Sequence, residues 1–243
     1  MCTVSFIPVK DKIYMTSNRD EKSWRSPALP PAIYKFATGN ILYPKDSHAG
    51  GTWIAVHESG RCIVFLNGAW IGHAPGKNYA RSRGLILLEL IDDPDPVLHF
   101  AKVNFEQIEP FTAIIFDQGD LHECRWNGIK KYKKAIGAGS PRIWSSATLY
   151  SPEMVMRRDQ WFENWLKNHP MPSQEEIMDF HRYSGDGDPQ HDLLMNRDNL
   201  VYTVSITSLA IGHEKAVMIY QDLKYSRKFR QELTLEKAIV QRS

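Results

Sequence analysis

A cysteine at position 2 and the tetrapeptide NRDE at residues 18–21 are the parts of this sequence best suited to covalent chemistry. If Met1 is removed, which a small second residue favours, Cys2 carries both a thiol and a free α-amine. An α-amine has a pKa of about 7.7–8.0, so an appreciable neutral fraction can act as a base for the thiol at neutral pH. An arginine beside the thiol would lower its pKa and favour the reactive thiolate.

Two apolar segments, residues 4–9 and 12–17, flank Lys10-Asp11 and predict a β-hairpin with a two-residue turn. In that register the numbers of paired residues sum to 21, so Cys2 faces Arg19 on the mostly apolar face of the hairpin. Asp20 follows directly and could hold the α-amine by a hydrogen bond. The alternative interpretation is a buried strand cysteine near a surface Arg–Asp pair.

Two further positions have both a structural and a chemical interpretation. Gly50-Gly51 precedes a buried strand, where it forms either a tight turn or a set of free N–H groups that binds an oxyanion. Asn67 ends the next strand, where it bonds local backbone as a turn residue or donates its amide to a substrate. Arg81 and Arg83 precede an apolar run, and they either face water or bind an anionic substrate group.

The order of elements predicts the class of fold. Strands come first, followed by two helices, more strands, two helices and final strands, which is typical of an α+β protein with segregated helices. Residues 78–91 are predicted to be a buried helix that ends at Asp92-Asp93-Pro94. Ser151-Pro152 and the capping box at residues 173–176 predict the starts of the two later helices.

Composition excludes several classes of function. The chain has 243 residues, a net charge of +2 and 42% hydrophobic residues, as expected for a globular protein folded as one domain over residues 1–243. Neither the charge nor its distribution indicates nucleic acid or an anionic membrane as a partner, and no apolar segment is long enough to span a membrane. Three dispersed cysteines and no leader-like segment favour a reducing, cytoplasmic location.

Several sequence blocks resemble those of one known family. Their order and spacing are similar to the Transport and Golgi organisation protein 2 family, also called the NRDE family. The resemblance is specific over residues 1–90 and weaker beyond. The blocks are Met1-Cys2-Thr3, Asn18-Arg19-Asp20-Glu21, Tyr43-Pro44-Lys45-Asp46, Ala49-Gly50-Gly51-Thr52-Trp53 and Leu66-Asn67-Gly68.

The family in turn resembles the N-terminal-nucleophile hydrolases of the penicillin V acylase and bile-salt hydrolase group. This resemblance implies a four-layer αββα sandwich of two mainly antiparallel sheets. It also implies Cys2, Arg19, Asp20 and Asn67 as catalytic residues. Binding and oxyanion residues would be Gly51, Ser146 and Arg197. Ser146 stands where many family members have asparagine, and Arg197 is the candidate for a late arginine of the acylase group.

Two functions of different class remain open at this stage. The first is hydrolysis of a non-peptide C–N amide bond by Cys2. The second is non-catalytic carriage of a hydrophobic ligand such as haem or an acyl-lipid, since the family is associated with haem trafficking and lipid metabolism. In both cases the expected partner is a small molecule, and neither a cofactor nor a metal ion is expected. The segments expected to line the ligand pocket are 22–40, 69–80 and 184–199.

Overall fold

A computed structural model describes residues 3–71 and 79–236 of the chain. Cys2 lies outside these residues, as does most of the predicted pocket segment 69–80. The strands are β1 Thr3–Val9, β2 Lys12–Lys22, β3 Leu29–Lys35, β4 Asn40–Lys45, β5 Ile54–His57, β6 Cys62–Asn67, β7 Phe111–Asp117, β8 Asp120–Trp126, β9 Lys131–Ala135, β10 Arg142–Ser145, β11 Asn196–Arg197, β12 Val201–Ile211, β13 Lys215–Asp222 and β14 Arg227–Thr234. The helices are α1 Arg83–Ile91, α2 Pro96–Lys102, α3 Pro152–Asn168 and α4 Gln174–Tyr183.

The strands form two antiparallel sheets. The meander sheet contains β3 to β9 in chain order. The N-terminal sheet has the order β10-β1-β2-β12-β13-β14, with β11 paired to β12, so it joins segments from both ends of the chain. The site residues near the start of the chain are therefore held by strands that come much later in the sequence.

The two sheets pack face to face between two layers of helices. Phe6 of β1 meets Phe116 of β7 across the interface, with ring centroids 5.9 Å apart. Helices α1 and α2 pack on the meander sheet, whereas α3 and α4 cover the N-terminal sheet. This arrangement is the predicted α+β sandwich with four layers. None of the described helices combines the length and apolar character needed to cross a membrane.

The N-terminal hairpin has the predicted register. Val4 pairs with Ser17 and Phe6 with Met15, and the last pair before Arg19 is Thr3 with Asn18. Lys10 has a φ of 52°, the left-handed conformation that a tight two-residue turn requires. The predicted pair of Cys2 with Arg19 lies outside the described residues.

The first helix is shorter than the sequence predicts. It begins at Arg83 rather than at residue 78, because the Ser82 hydroxyl accepts the Leu85 N–H and caps the helix there. The two later helices begin as predicted, with Ser151 as the N-cap of α3 and a complete Ser173–Glu176 capping box on α4. A serine is thus the N-cap of each of these three helices, and only the N-cap of α1 was not predicted from the sequence.

Candidate functional site

The four residues of the NRDE tetrapeptide point alternately to the two sides of β2. Asn18 and Asp20 face the helix layer, where they contact His181 of α4 and Tyr150 just before α3. Arg19 and Glu21 face the opposite way and line a cleft at the end of the sandwich. Since side chains alternate along a strand, a single tetrapeptide serves both layers.

The cleft has a volume of about 580 Å³ and lies between the end of β2 and the ends of β4 and β6. Its walls carry a mixture of arginine, carboxylate and aromatic side chains. The lining residues are Arg19, Glu21, Arg25, Asp46, His48, Ala49, Gly51, Thr52, Trp53, Phe65, Asn67, Tyr79, Arg81, Ser82, Arg83, Gly84 and Glu109. Three of the predicted site residues, Arg19, Gly51 and Asn67, therefore meet in one cleft.

Arg19 is nearly fully buried, and its charge is balanced within the cleft. Its Nη2 lies 2.7 Å from Asp46 Oδ2 and 3.3 Å from Glu21 Oε1, and its guanidinium lies 4.7 Å from the Trp53 ring centroid. Burial alone would raise the pKa of Asp46. The Ala49 N–H and the charges of Arg25 and Arg19 more than offset this effect, so the pKa of Asp46 is lowered. A fixed ion pair thus places a guanidinium at the cleft wall.

Asp20 lies on the other side of β2 and accepts two short hydrogen bonds. Thr203 Oγ1 donates to its Oδ1 at 2.6 Å, and Tyr150 Oη donates to its Oδ2 at 3.0 Å. The pairing of β12 with β2 shifts register between Thr203 and Ser205, opposite Asp20 and Arg19. Such β-bulges are over-represented next to active sites, where they re-aim side chains.

Arg158 of α3 is a buried residue that sequence reasoning missed. Its exposed fraction is 0%. Its Nη1 donates to Thr3 Oγ1 at 2.6 Å, its Nη2 donates to the His191 and Asp192 carbonyls at 2.8 Å, and its Cζ lies 3.5 Å from the Tyr150 ring centroid.

Within the described ranges, no carboxylate lies within ion-pair distance of Arg158, and its Nε has no hydrogen-bond partner. A buried cation without a counter-ion is costly. In the sequence, Arg158 follows another arginine in a charged stretch of an amphipathic helix, and nothing there marks it as buried. Its bond to Thr3 ties α3 to the start of β1 on the helix-layer side of the sheet.

Asn18 joins β2 to the helix layer through a buried network. Its Nδ2 donates to the His181 carbonyl at 3.0 Å and to the Leu193 carbonyl at 2.7 Å. Because this amide group donates twice, Asn18 Oδ1 must accept, and His181 Nδ1 donates to it at 2.7 Å. His181 Nε2 lies 2.7 Å from the Ser5 hydroxyl, which donates to it when the imidazole is neutral. The neutral imidazole therefore carries its proton on Nδ1.

Burial and, secondarily, the nearby charge of Arg158 lower the pKa of His181 from 6.5 to about 3. The folded protein therefore binds this proton more weakly than the unfolded chain does. The resulting stability is complete above pH 6.5 and is lost as the pH falls towards 3, at about 1.4 kcal/mol per pH unit.

We expect urea unfolding at a series of pH values to show that the free energy of unfolding of His181→Asn falls less steeply with acid than that of the wild type. His213→Asn, at an exposed position, should leave the slope unchanged, and equal slopes for all three proteins would contradict the assignment.

Gly51 packs directly against the start of α1. A Cβ atom at Gly51 would lie 2.3 Å from the carbonyl carbon of Gly84, so only glycine fits. Its carbonyl accepts the Asp46 N–H at 2.8 Å, whereas the Gly51 N–H has no acceptor within the described part of the chain. This is the arrangement that a backbone oxyanion donor needs.

Asn67 and Ser146 lie together. The Ser146 hydroxyl donates to the Asn67 carbonyl at 2.8 Å and also lies 2.9 Å from Thr148 Oγ1. The hydroxyl proton of Ser146 is thus engaged with the backbone of Asn67, whose side chain lines the cleft.

The remaining predicted arginines contact other groups. Arg197 does not line the cleft: its Nη2 donates to the Leu149 carbonyl at 2.7 Å and its guanidinium lies 5.3 Å from the Tyr150 ring centroid. Arg81 and Arg83 do line the cleft, but each reaches a carboxylate, at 2.7 Å from Glu89 and 3.0 Å from Glu109 respectively.

Sequence and structure comparisons identify the family and the fold. The sequence profile of the family described as Transport and Golgi organisation 2 matches residues 1–216. The chain belongs to this family. No curated protein matches the chain by sequence.

Several solved structures share the fold at low identity. Two variants of conjugated bile acid hydrolase from Clostridium perfringens match with TM-scores of 0.61 and 0.59 at 10% identity, and the alignments cover 99% or more of each chain. An N-acylethanolamine-hydrolyzing acid amidase orthologue from Caenorhabditis elegans matches with a TM-score of 0.57 at 9% identity, covering 86% of this chain and 92% of that one. The sandwich of this Transport and Golgi organisation 2 family member is therefore the N-terminal-nucleophile hydrolase fold.

The two described cysteines of this family member are poorly suited to nucleophilic chemistry. Both are buried, and burial raises the pKa of Cys62 and raises that of Cys124 to about 12.

We expect iodoacetamide at neutral pH to label Cys2 well before Cys62 and Cys124, as mapped by peptide mass spectrometry over a time course. Labelling after unfolding in urea provides the control, in which all three thiols should react. Equal rates in the folded protein, or an unreactive Cys2, would contradict an activated N-terminal thiol.

Proposed function

We propose that this protein is an N-terminal-nucleophile cysteine hydrolase that cleaves a non-peptide C–N amide bond. One observation carries the proposal: the pair Thr3–Asn18 brings the start of β1 to the strand end that holds Arg19 and Asp20. Continuing the ladder by one residue would place Cys2 beside Arg19, at the 580 Å³ cleft.

In the proposed reaction the Cys2 thiolate attacks the amide carbonyl carbon and forms a C–S bond. The C–N bond then breaks, and the α-amine of Cys2, which has taken the thiol proton, passes that proton to the departing amine. Water hydrolyses the thioester, which releases a carboxylic acid and restores the thiol. Arg19 would favour the thiolate, and Asp20 would orient the α-amine.

The other site residues have supporting roles in this proposal. Asn67 and the Gly51 N–H, which has no acceptor among the described residues, would donate to the oxyanion of the tetrahedral intermediate. Ser146 would act indirectly, by fixing the backbone of Asn67. Arg158 would hold the start of β1 through Thr3 and contribute positive potential there. Arg197 would support the ring of Tyr150, whose hydroxyl donates to Asp20.

A second candidate function, carriage of a hydrophobic ligand, is favoured by a separate cleft. This apolar cleft of about 630 Å³ lies at the opposite end of β2, near the turns that follow β1, β7 and β12. Its apolar walls include Pro8, Ile13, Phe116, Ala138, Ile211 and Leu235. A preformed cavity of this size and character could hold an apolar molecule.

A substrate panel distinguishes the two functions. The purified protein is offered acyl amides, acyl homoserine lactones and bile-acid conjugates, while a parallel sample is extracted for bound lipid and titrated with haem. Whole-protein mass measurement on the same preparation should show loss of Met1, which the free amine requires. We expect turnover of at least one amide. A stoichiometric ligand without turnover of any amide would favour the carrier, and a fully retained Met1 would contradict the amine as base.

A further inference from the structure

Four large apolar side chains form an exposed surface at one flank of the sandwich, which we call the Trp70 surface. The exposed fractions are 52% for Trp70, 82% for Ile71, 80% for Ile129 and 43% for Tyr132. Trp70 and Ile71 follow the end of β6, whereas Ile129 lies in the turn before β9 and Tyr132 on that strand. Isolated exposed apolar residues are common, but a group of four gathered from two segments indicates an interaction site.

Direct contacts hold the two segments of this surface together. The rings of Trp70 and Tyr132 meet edge to face, with centroids 4.6 Å apart and an interplanar angle of 86°. The guanidinium of Arg125 lies 5.2 Å from the Trp70 ring centroid and donates to the Ala69 carbonyl. The indole is therefore presented in a fixed orientation although half of its surface faces water.

The charges around the Trp70 surface are predominantly positive. Lys130 and Lys134 are exposed on the turn before β9 and on β9 itself, and Lys134 shares the face of Tyr132. For the described residues, no carboxylate lies within ion-pair distance of these lysines, and the nearby Glu123 is paired with Arg125 at 2.8 Å. Lysines on an edge strand protect it from pairing with another chain. Beside four apolar side chains, they also make a cationic and amphipathic surface.

We propose that the Trp70 surface binds the surface of an anionic lipid bilayer. Trp and Tyr favour the interfacial region of membranes, and aliphatic tips such as Ile71 and Ile129 can enter the acyl boundary. The lysines around them would contact anionic head groups. Nucleic acid fits less well, because bases stack on aromatic rings but offer no apolar medium for two exposed isoleucines.

The position of the Trp70 surface gives bilayer binding a consequence for the candidate site. Asn67 pairs with Phe111, Phe111 with Trp126, and Trp126 with Lys131, so the surface lies at the same sheet end as Asn67. A bound bilayer would therefore lie beside the mouth of the cleft. The binding itself does not depend on catalysis and holds whether or not the protein is an amide hydrolase.

Flotation with vesicles tests the proposal on the full-length protein. Vesicles of phosphatidylcholine alone are compared with vesicles of equal parts phosphatidylcholine and phosphatidylglycerol. We expect the wild type to float only with the anionic vesicles, and less so at high salt because salt screens surface charge. Ile71→Ser/Ile129→Ser and Lys130→Glu/Lys134→Glu should each reduce the partition coefficient about tenfold or more.

Lys12→Glu/Lys35→Glu is the matched control, because it makes the same charge change at exposed lysines near the opposite end of the sandwich. It should retain most of the binding, and circular dichroism should confirm that every variant is folded. Three results would overturn the proposal. These are no flotation of the wild type, equal loss in the control and surface variants, or binding to an oligonucleotide in preference to anionic vesicles.

Discussion

Replacing Cys2 by alanine should abolish turnover of every amide that the wild-type protein hydrolyses. The substitution removes the atom that would form the thioester, so only binding and oxyanion stabilisation would remain. We expect kcat/KM to fall by about 10⁴-fold or more, as is usual when a covalent nucleophile is removed. Single-turnover measurements with a substrate from the amide panel provide the test.

The control for this variant is Cys62→Ala, which removes a buried thiol of the meander sheet. It should retain turnover even where it lowers the unfolding temperature. Ligand binding in the apolar cleft at the other end of β2 should be the same in Cys2→Ala and the wild type. Turnover that survives in Cys2→Ala would exclude the proposed mechanism, whatever the fold.

Replacing Asn18 by alanine should cause one of the largest losses of stability available at a single polar residue of this chain. Asn18 is fully buried, and its amide makes three hydrogen bonds, two to carbonyls and one from His181 Nδ1. Each buried group left without a partner costs about 1–3 kcal/mol, so we expect the free energy of unfolding to fall by about 3 kcal/mol or more. Urea unfolding at neutral pH measures the change.

Asn164→Ala is the matched control, since Asn164 is an exposed asparagine on α3. Alanine is a good helix former, so this change should alter stability by about 0.5 kcal/mol or less. If Asn18→Ala costs no more than Asn164→Ala, the buried network does not stabilise the fold. The expected outcome would assign Asn18 of the tetrapeptide a structural role.

The parts of the fold that local chemistry determines were predictable from the sequence. The hairpin register followed from the apolar pattern and the turn at Lys10-Asp11, and the starts of α3 and α4 followed from their serine caps. The start of α1 was predicted too early because the basic residues before it resemble a first helical turn. Only the side chain of Ser82 distinguishes the true N-cap.

The site itself was predictable only in part, because its contacts are long-range. The tetrapeptide and Asn67 were identified from short blocks, but the buried state of Arg158 depends on Thr3 and on the carbonyls of residues 191 and 192. No periodicity in α3 encodes such contacts. Net charge was misleading in a similar way: a value of +2 for the whole chain gives no sign of the exposed lysines beside Trp70.

The different connectivity of the two sheets has a consequence for how the protein folds. The meander sheet pairs its strands in chain order, and every neighbouring pair except β6 and β7 closes over a short loop. The N-terminal sheet instead joins β2 to β12, and the bond between Asp20 and Thr203 spans 183 residues. Closing so long a loop costs more entropy before any contact forms. We expect the candidate site to be completed late in folding, after nearly the whole chain has been synthesised, and to exchange its amide hydrogens sooner than the meander sheet in destabilised variants.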